Sequence, residues 1–179
     1  MALINTTTTG VLGSTFFGDG TGSLTVQQNG VTLGTYGNIP AFSAYASANQ
    51  TITSSTFTKI QINTEEFDTN NNFDPTTNYR FTPTVAGYYQ VSGSVNNYSS
   101  TSPTRVLAVI YKNGTAYKRF FDGAVSTGTF YTNAQGSALV YLNGSTDYVE
   151  LYGFIVATTA IVNADPTHVY FQGILIKAA

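Results

Sequence analysis

Apolar residues in this chain recur at every second position over short runs, and turn-forming residues break the runs at close intervals. No window places apolar side chains at i, i+3, i+4 and i+7, the spacing of an amphipathic helix. Alternation in short segments predicts an all-β sandwich. Val106 to Tyr111 is apolar on both faces and reads as a strand covered from two sides. Asn113-Gly114 follows it, a pair suited to a type I′ turn because both central residues need positive φ. That turn predicts Lys112 opposite Thr115 and Ile110 opposite Tyr117.

A second Asn-Gly pair, Asn143-Gly144, separates Ala138–Leu142 from Tyr148–Tyr152. Ala138, Val140 and Leu142 share one face of the first run, and Val149, Leu151 and Gly153 one face of the second. The opposite faces carry Tyr141, Tyr148, Glu150 and Tyr152. So many tyrosines pointing outward suggest a contact surface, with packing beneath a loop or a second sheet as the plainer reading.

The first 39 residues differ from the rest. They are rich in Thr and Gly and hold one acidic residue, Asp19, and no basic one. Met1 to Gly10 reads as a flexible or docking arm, with neither the basic segment nor the apolar core of a secretory signal. Asn29-Gly30 predicts a hairpin with Gln28 facing Val31, Val26 facing Leu33 and Leu24 facing Thr35. Leu24, Val26, Val31 and Leu33 would then share one apolar face. Two strands alone are marginal in water, so that face needs a neighbour. The boundary is expected near Ile39-Pro40, dividing an attachment or oligomerisation segment, 1–39, from a main domain, 40–179.

Composition sharpens this picture. Charged residues make up 9% of the 179 positions and aromatics 14%. An average soluble domain is about 25% charged. Disorder requires few aromatics and much charge, so the chain is expected to fold. A surface so poor in charge is expected to be covered by copies of itself or by another protein. The seven basic residues are scattered and the net charge is −2, so no basic footprint for nucleic acid is present. Apolar runs fall far short of the roughly 18 residues of a membrane span. With no cysteine, disulfide frameworks, thiol nucleophiles and cysteine-ligated zinc are excluded.

The stretch Phe73 to Val95, FDPTTNYRFTPTVAGYYQVSGSV, carries a resemblance. It closely resembles the trimeric jelly-roll domain of the complement-1q and tumour-necrosis-factor superfamily. The matching positions are Phe73-Asp74, then Phe81-Thr82-Pro83, then Gly87 with Tyr89. Ala41–Tyr45, Phe57–Ile62, Val106–Lys112, Gly136–Leu142, Asp147–Leu151 and Phe171–Ile176 follow the family's strands in order. The resemblance covers about residues 40 to 177. It implies a jelly-roll β-sandwich and a homotrimer; the residue pattern of 1–39 places an extended arm with a small hairpin before it.

Tyr89, Val91, Gly93 and Val95 alternate to one face, as do Phe171, Gly173 and Leu175. In the family these two strands lie side by side in the sheet that lines the threefold contact. By that analogy Tyr88, Gln90, Tyr170, Gln172 and Ile174 are expected at the trimer interface. The family's Trp and Cys positions are absent here, and residues 1–39 lack the Gly-x-y period of a collagen stalk.

No catalytic constellation is evident. His168 is the one histidine, and no Ser sits in a Gly-x-Ser-x-Gly elbow. Glu65-Glu66-x-Asp68 lies beside Thr69-Asn70-Asn71-Asn72 and reads as a strand-to-loop junction. The glycines of Gly18–Gly22 lack the lysine of a phosphate loop. Asp122, Asp147 and Asp165 are isolated, so no metal and no cofactor is expected. Sequons at Asn49, Asn97 and Asn113 reflect an Asn/Thr-rich composition.

An arm, a small hairpin and a cysteine-free jelly roll together resemble bacteriophage fibre and head-decoration proteins. That resemblance implies a structural virion protein, made in the host cytoplasm and exposed on the particle. It would be a homotrimeric knob, held to another virion protein through residues 1–39 and contacting a host glycan or protein. The loops 69–78, 96–104 and 122–133 are the expected contact regions. The alternative is a secreted or spore-surface protein of a cell, serving adhesion or signalling.

Overall fold

The structure is a computed structural model that describes residues 14–18, 24–28, 31–36, 39–98, 103–124 and 131–179. The chain divides into two compact units, Met1–Ile39 and Pro40–Ala179. The described residues form strands and turns, with no helix.

The amino-terminal unit is a three-stranded antiparallel sheet of β1 (Ser14–Gly18), β2 (Leu24–Gln28) and β3 (Val31–Tyr36). The first ten residues and the Asn29-Gly30 turn lie outside the described residues. Gln28 pairs with Val31 as the turn predicts. An irregularity at Val26/Gln27 then shifts the register, so Val26 faces Gly34 and Leu24 faces Tyr36. This corrects the expected Val26–Leu33 and Leu24–Thr35 pairs. One extra residue in β3 displaces each pair beyond it, and Leu33 drops out of the row. Strand β1, which the hairpin reading missed, supplies β2 with a second neighbour by pairing Phe16 with Val26.

The second unit holds β4 (Ala41–Tyr45), β5 (Gln50–Thr51), β6 (Thr58–Lys59), β7 (Thr64–Asp68), β8 (Phe73–Asp74), β9 (Arg80–Phe81), β10 (Gly87–Tyr98), β11 (Arg105–Lys112), β12 (Thr115–Ala124), β13 (Tyr131–Leu142), β14 (Val149–Val156), β15 (Ile161–Val162) and β16 (Tyr170–Ala178). The first sheet runs β5-β15-β10-β16-β4-β7, with β13 also pairing β10. The second runs β12-β11-β14-β9-β8, with β6 on β14. All pairings are antiparallel, and the unit is a jelly-roll sandwich.

The core lies between the sheets, filled by alternate residues of each strand. Tyr89, Val91, Val95, Phe42 and Phe171 come from the first sheet, and Val106, Ala108, Ile110, Val149, Leu151 and Ile155 from the second. Phe42 is the hub. Its ring stacks on Phe81 at 4.4 Å and on Phe73 at 5.0 Å, and meets Phe171 edge-on at 5.0 Å. Pro83 and Gly87 are buried in the turn that delivers Tyr89 to the core, Gly173 is buried, and Leu175 is half-buried. The Tyr89 hydroxyl donates to the Val85 carbonyl at 2.7 Å, and burial pushes its pKa up to about 12.

The stretch from Thr69 to Asn78 is tied down by two carboxylates. Asp68 accepts from the backbone N–H groups of Asn70, Asn72 and Phe73 at 3.1, 2.5 and 2.6 Å. Asp74 accepts from those of Thr76, Thr77 and Asn78 at 3.0, 2.9 and 3.1 Å. The Phe73-Asp74 pair therefore combines a core ring with a loop clamp.

Asn113 and Gly114 have φ of 52° and 75°, as a type I′ turn requires, and Lys112 faces Thr115. A bulge in β12 then places Ile110 opposite Lys118 instead of Tyr117, and a second shifts the pairs again from Ala108 onward. The Asn143-Gly144 turn joins strands of different sheets, β13 and β14, so Tyr141 does not share a face with Tyr148 and Tyr152. Phe57–Ile62 is strand only at Thr58–Lys59, because Ile60 and Ile62 leave the ladder and turn fully into the core. Glu65-Glu66-Phe67-Asp68 belongs to the strand β7, paired with β4, and the loop beside it begins at Thr69.

Candidate functional site, the exposed face of the first sheet

The face of the first sheet turned away from the core is the most distinctive surface of this unit. Residues paired across the ladder share a face, so register gives its rows. One row is Leu139, Gln90, Ile174 and Ala41. The next is Ser137, Ser92, Gln172, Ser43 and Phe67. Tyr141 and Tyr88 form a third, with rings 5.5 Å apart. Leu139 is 63% exposed, Phe67 52%, Tyr88 50% and Ile174 44%. Large apolar side chains standing open in contiguous rows mark an interaction surface.

The face has relief. Toward β13 it rises as a ridge of Leu139, Tyr141 and Tyr88, extended by Tyr117, whose hydroxyl donates to the Leu139 carbonyl at 3.1 Å. Toward β4 and β7 it sinks into a shallow depression of about 290 Å³, lined by Ala41, Phe42, Phe67, Gln90, Gln172 and Ile174 among others. The rims differ in charge. Lys118 lies over the Tyr117 ring and Lys112 over the Tyr141 ring at the ridge. Glu66 sits on β7 beside the depression, where the Ser43 hydroxyl donates to Glu66 Oε2 at 2.6 Å.

Tyr88, Gln90, Gln172 and Ile174 all stand exposed on this face. Tyr170 lies on it too, opposite Ser94 and Tyr45, but is half-buried. Leu139 and Phe67 were missed. Leu139 was legible as the residue between inward Ala138 and Val140. Phe67 was hidden by the acids around it.

The outward face of the second sheet is of another kind. Tyr111 stacks on Tyr152 at 3.7 Å, Arg119 lies over Phe57, Arg105 over Phe154, and Arg80 over Tyr148 at 4.3 Å. Arg105 pairs with Asp122 at 2.6 Å. The buried Glu150, expected to point outward among tyrosines, pairs with Lys59 at 2.5 Å. Leu107 and Val109 lie fully buried under this layer. This sheet carries its own cover, whereas the first sheet's face is bare.

The three loops expected to make contacts do not gather. Residues 69–78 lie at the end of the sandwich near Gly87, while 96–98, 103–104, 122–124 and 131–133 lie at the other; 99–102 and 125–130 are outside the described residues. Asn97 of the second sequon is fully buried. His168 is exposed, its Nδ1 3.0 Å from Thr167 Oγ1 and 3.4 Å from Asp165 Oδ2. Among the described residues, no group of three or more His, Cys, Asp and Glu is placed to hold a metal ion.

Asp147 ties together the two turns at the Gly87 end. It accepts from the Asn113 amide at 2.8 Å and pairs with Lys112 at 3.0 Å. The Asn113 hydrogen bond is the chief cause holding its pKa below the usual carboxylate range. Asp74 is likewise held low, first by the Thr77 backbone N–H. Both folded pKa values lie below their unfolded values, so this stability is present at neutral pH and lost as pH falls. Thermal melts are expected to show a falling midpoint below about pH 4, where unfolded carboxylates begin to protonate. Asp147→Asn is expected to flatten that fall.

No protein-family model matches the chain, and no curated protein matches it. Solved structures do. Murine APRIL at pH 8.0 superposes with a TM-score of 0.59 at 10% identity, covering 77% of this chain and 99% of that one. Eiger TNF from S. frugiperda superposes with a TM-score of 0.57 at 9% identity, covering 79% and 93%. The fold is the one they share, a tumour-necrosis-factor-like jelly roll.

Proposed function

We propose that the protein is a non-enzymatic homotrimeric knob, assembled through the exposed face of the first sheet. The bare face carries this reading. Its ridge and depression differ in shape, and their rims carry opposite charge. A two-fold dimer can also set ridge into depression, but a head-to-tail contact that sets ridge into depression and Lys118 toward Glu66 is the one that builds a threefold knob. Such a contact either closes into a ring or grows without limit. Closure at three hides the apolar rows and accounts for a chain with so few charges.

The knob is carried on a bacteriophage particle through residues 1–39 and contacts a host-surface glycan or protein. Three copies per knob and many knobs per particle raise avidity beyond that of one site. A second reading, a secreted adhesion or signalling protein, draws on the fold likeness to the Eiger TNF protein. Portal, capsid and tail genes beside this one would favour the first.

The absence of cysteine makes a direct test simple. Leu139 and Ile174 lie two strands apart in one row, roughly 10 Å, too far for a disulfide within one copy. A Leu139→Cys, Ile174→Cys double variant is expected to oxidise into covalent species that stop at three chains on a non-reducing gel. Monomers only, or a ladder without limit, would refute the closed ring.

A further inference from the structure

At the end of the same face, away from the ridge and depression, lie two buried side-chain oxygens with no proton donor. Asn96 is opposite Asn133, and Asn97 is opposite Val162, which sets Asn163 beside Asn96. Asn133, Asn96 and Asn163 thus form one row across β13, β10 and the end of β15. The Asn163 N–H donates to the Asn96 carbonyl at 3.2 Å, fixing that placement. Asn96 is 3% exposed. The side-chain oxygens of Asn96 and Asn163 are both buried and accept no hydrogen bond. Beside them Ser94 Oγ lies 3.2 Å from Asn133 Oδ1 and 2.6 Å from the His168 carbonyl, so one hydroxyl proton faces two acceptors. The Oδ1 of Asn97 is also unpartnered, but alternation turns it to the core side.

A buried acceptor left unpaired forfeits its hydration, so two of them side by side in a folded chain call for an electrophile. One water brings two protons. The row presents Asn96 Oδ1, Asn163 Oδ1 and whichever of Asn133 Oδ1 and the His168 carbonyl Ser94 leaves unserved. We propose that this row binds a monovalent alkali cation, coordinated by amide and carbonyl oxygens beneath the segment 163–169. The class follows from the ligands. Hard oxygens select a hard cation, and divalent affinity rises with the number of carboxylates. The Asp165 carboxylate is engaged by Thr167 and His168 instead.

The test compares thermal midpoints of the full chain in sodium, potassium and choline chloride at equal ionic strength, with ²³Na line widths on the same protein. Sodium or potassium is expected to raise the midpoint over choline by roughly 2–4 °C. Sodium signal broadened by the protein is expected to sharpen when potassium displaces it. Asn163→Leu is expected to make the midpoint indifferent to the salt. Equal midpoints in all three salts with no broadening would overturn the proposal and leave water in the row. A larger rise with millimolar calcium than with sodium would overturn the assignment to a monovalent ion. Should Asn163→Leu not fold, the line widths of the unaltered protein decide alone.

Discussion

Ile174→Asp is expected to turn the assembled protein into folded monomers. Ile174 is 44% exposed in one copy, so the substitution removes little from the core of that copy. In the trimer it places a carboxylate in the depression, next to Phe67 and Gln90, on a floor lined by apolar and uncharged polar residues. A charge left buried and unpaired at the centre of an interface costs several kcal/mol, and about 2.7 kcal/mol is a hundredfold in affinity. Association should weaken by roughly 100-fold or more. Sedimentation should then show single chains, while the melting curve of the monomer stays cooperative. Phe67→Asp should act the same way from the other side of the depression. Retention of full assembly by both variants would mean that this face is not the contact.

Phe42→Ala is expected to cause the largest loss of stability of any single truncation in the sandwich. Phe42 is 1% exposed and touches three other rings, drawn from both sheets. Truncation opens a cavity that β4, held between β16 and β7, cannot close. Such changes cost about 3–5 kcal/mol. For a domain of this size that corresponds to a drop of roughly 6–20 °C in the melting midpoint. Chemical denaturation with an unchanged m-value would confirm a stability effect. A loss under about 1 kcal/mol would contradict the packing described here.

Much of this architecture can be read from the residues alone. The type I′ turn at Asn113-Gly114, the alternation in β10 and β16 and the buried β11 all follow from local chemistry. What escaped were features set by tertiary context. The bulges in β2/β3 and β11/β12 leave no mark in the alternation, yet each shifts the pairs beyond it. Strand β7 was obscured because Glu65 and Glu66 look like a solvated turn, whereas an edge strand tolerates acids on its open side. Asn143-Gly144 looks like a hairpin and is a crossing between sheets. There Gly144, at φ of 70°, fits where a Cβ would meet the Val85 carbonyl carbon at 2.7 Å and the Ala86 nitrogen.

The candidate face was half legible. Alternation with Tyr89 and Phe171 inward puts Tyr88, Gln90, Gln172 and Ile174 outward. It could not show that Leu139 shares a row with Ile174, because that depends on β13 pairing with β10. Nor could it separate Tyr141, which is bare, from Tyr152, which stacks on Tyr111. The asparagine row was invisible, since composition alone makes asparagine look like turn material.

The central claim is that the uncharged face of the first sheet is covered by further copies of the chain. Sedimentation equilibrium of the unaltered protein at micromolar concentration tests it most directly. The account predicts a mass of about 57 kDa, three times the 19.1 kDa chain. A single species at 19.1 kDa that shows no association on concentration would contradict it.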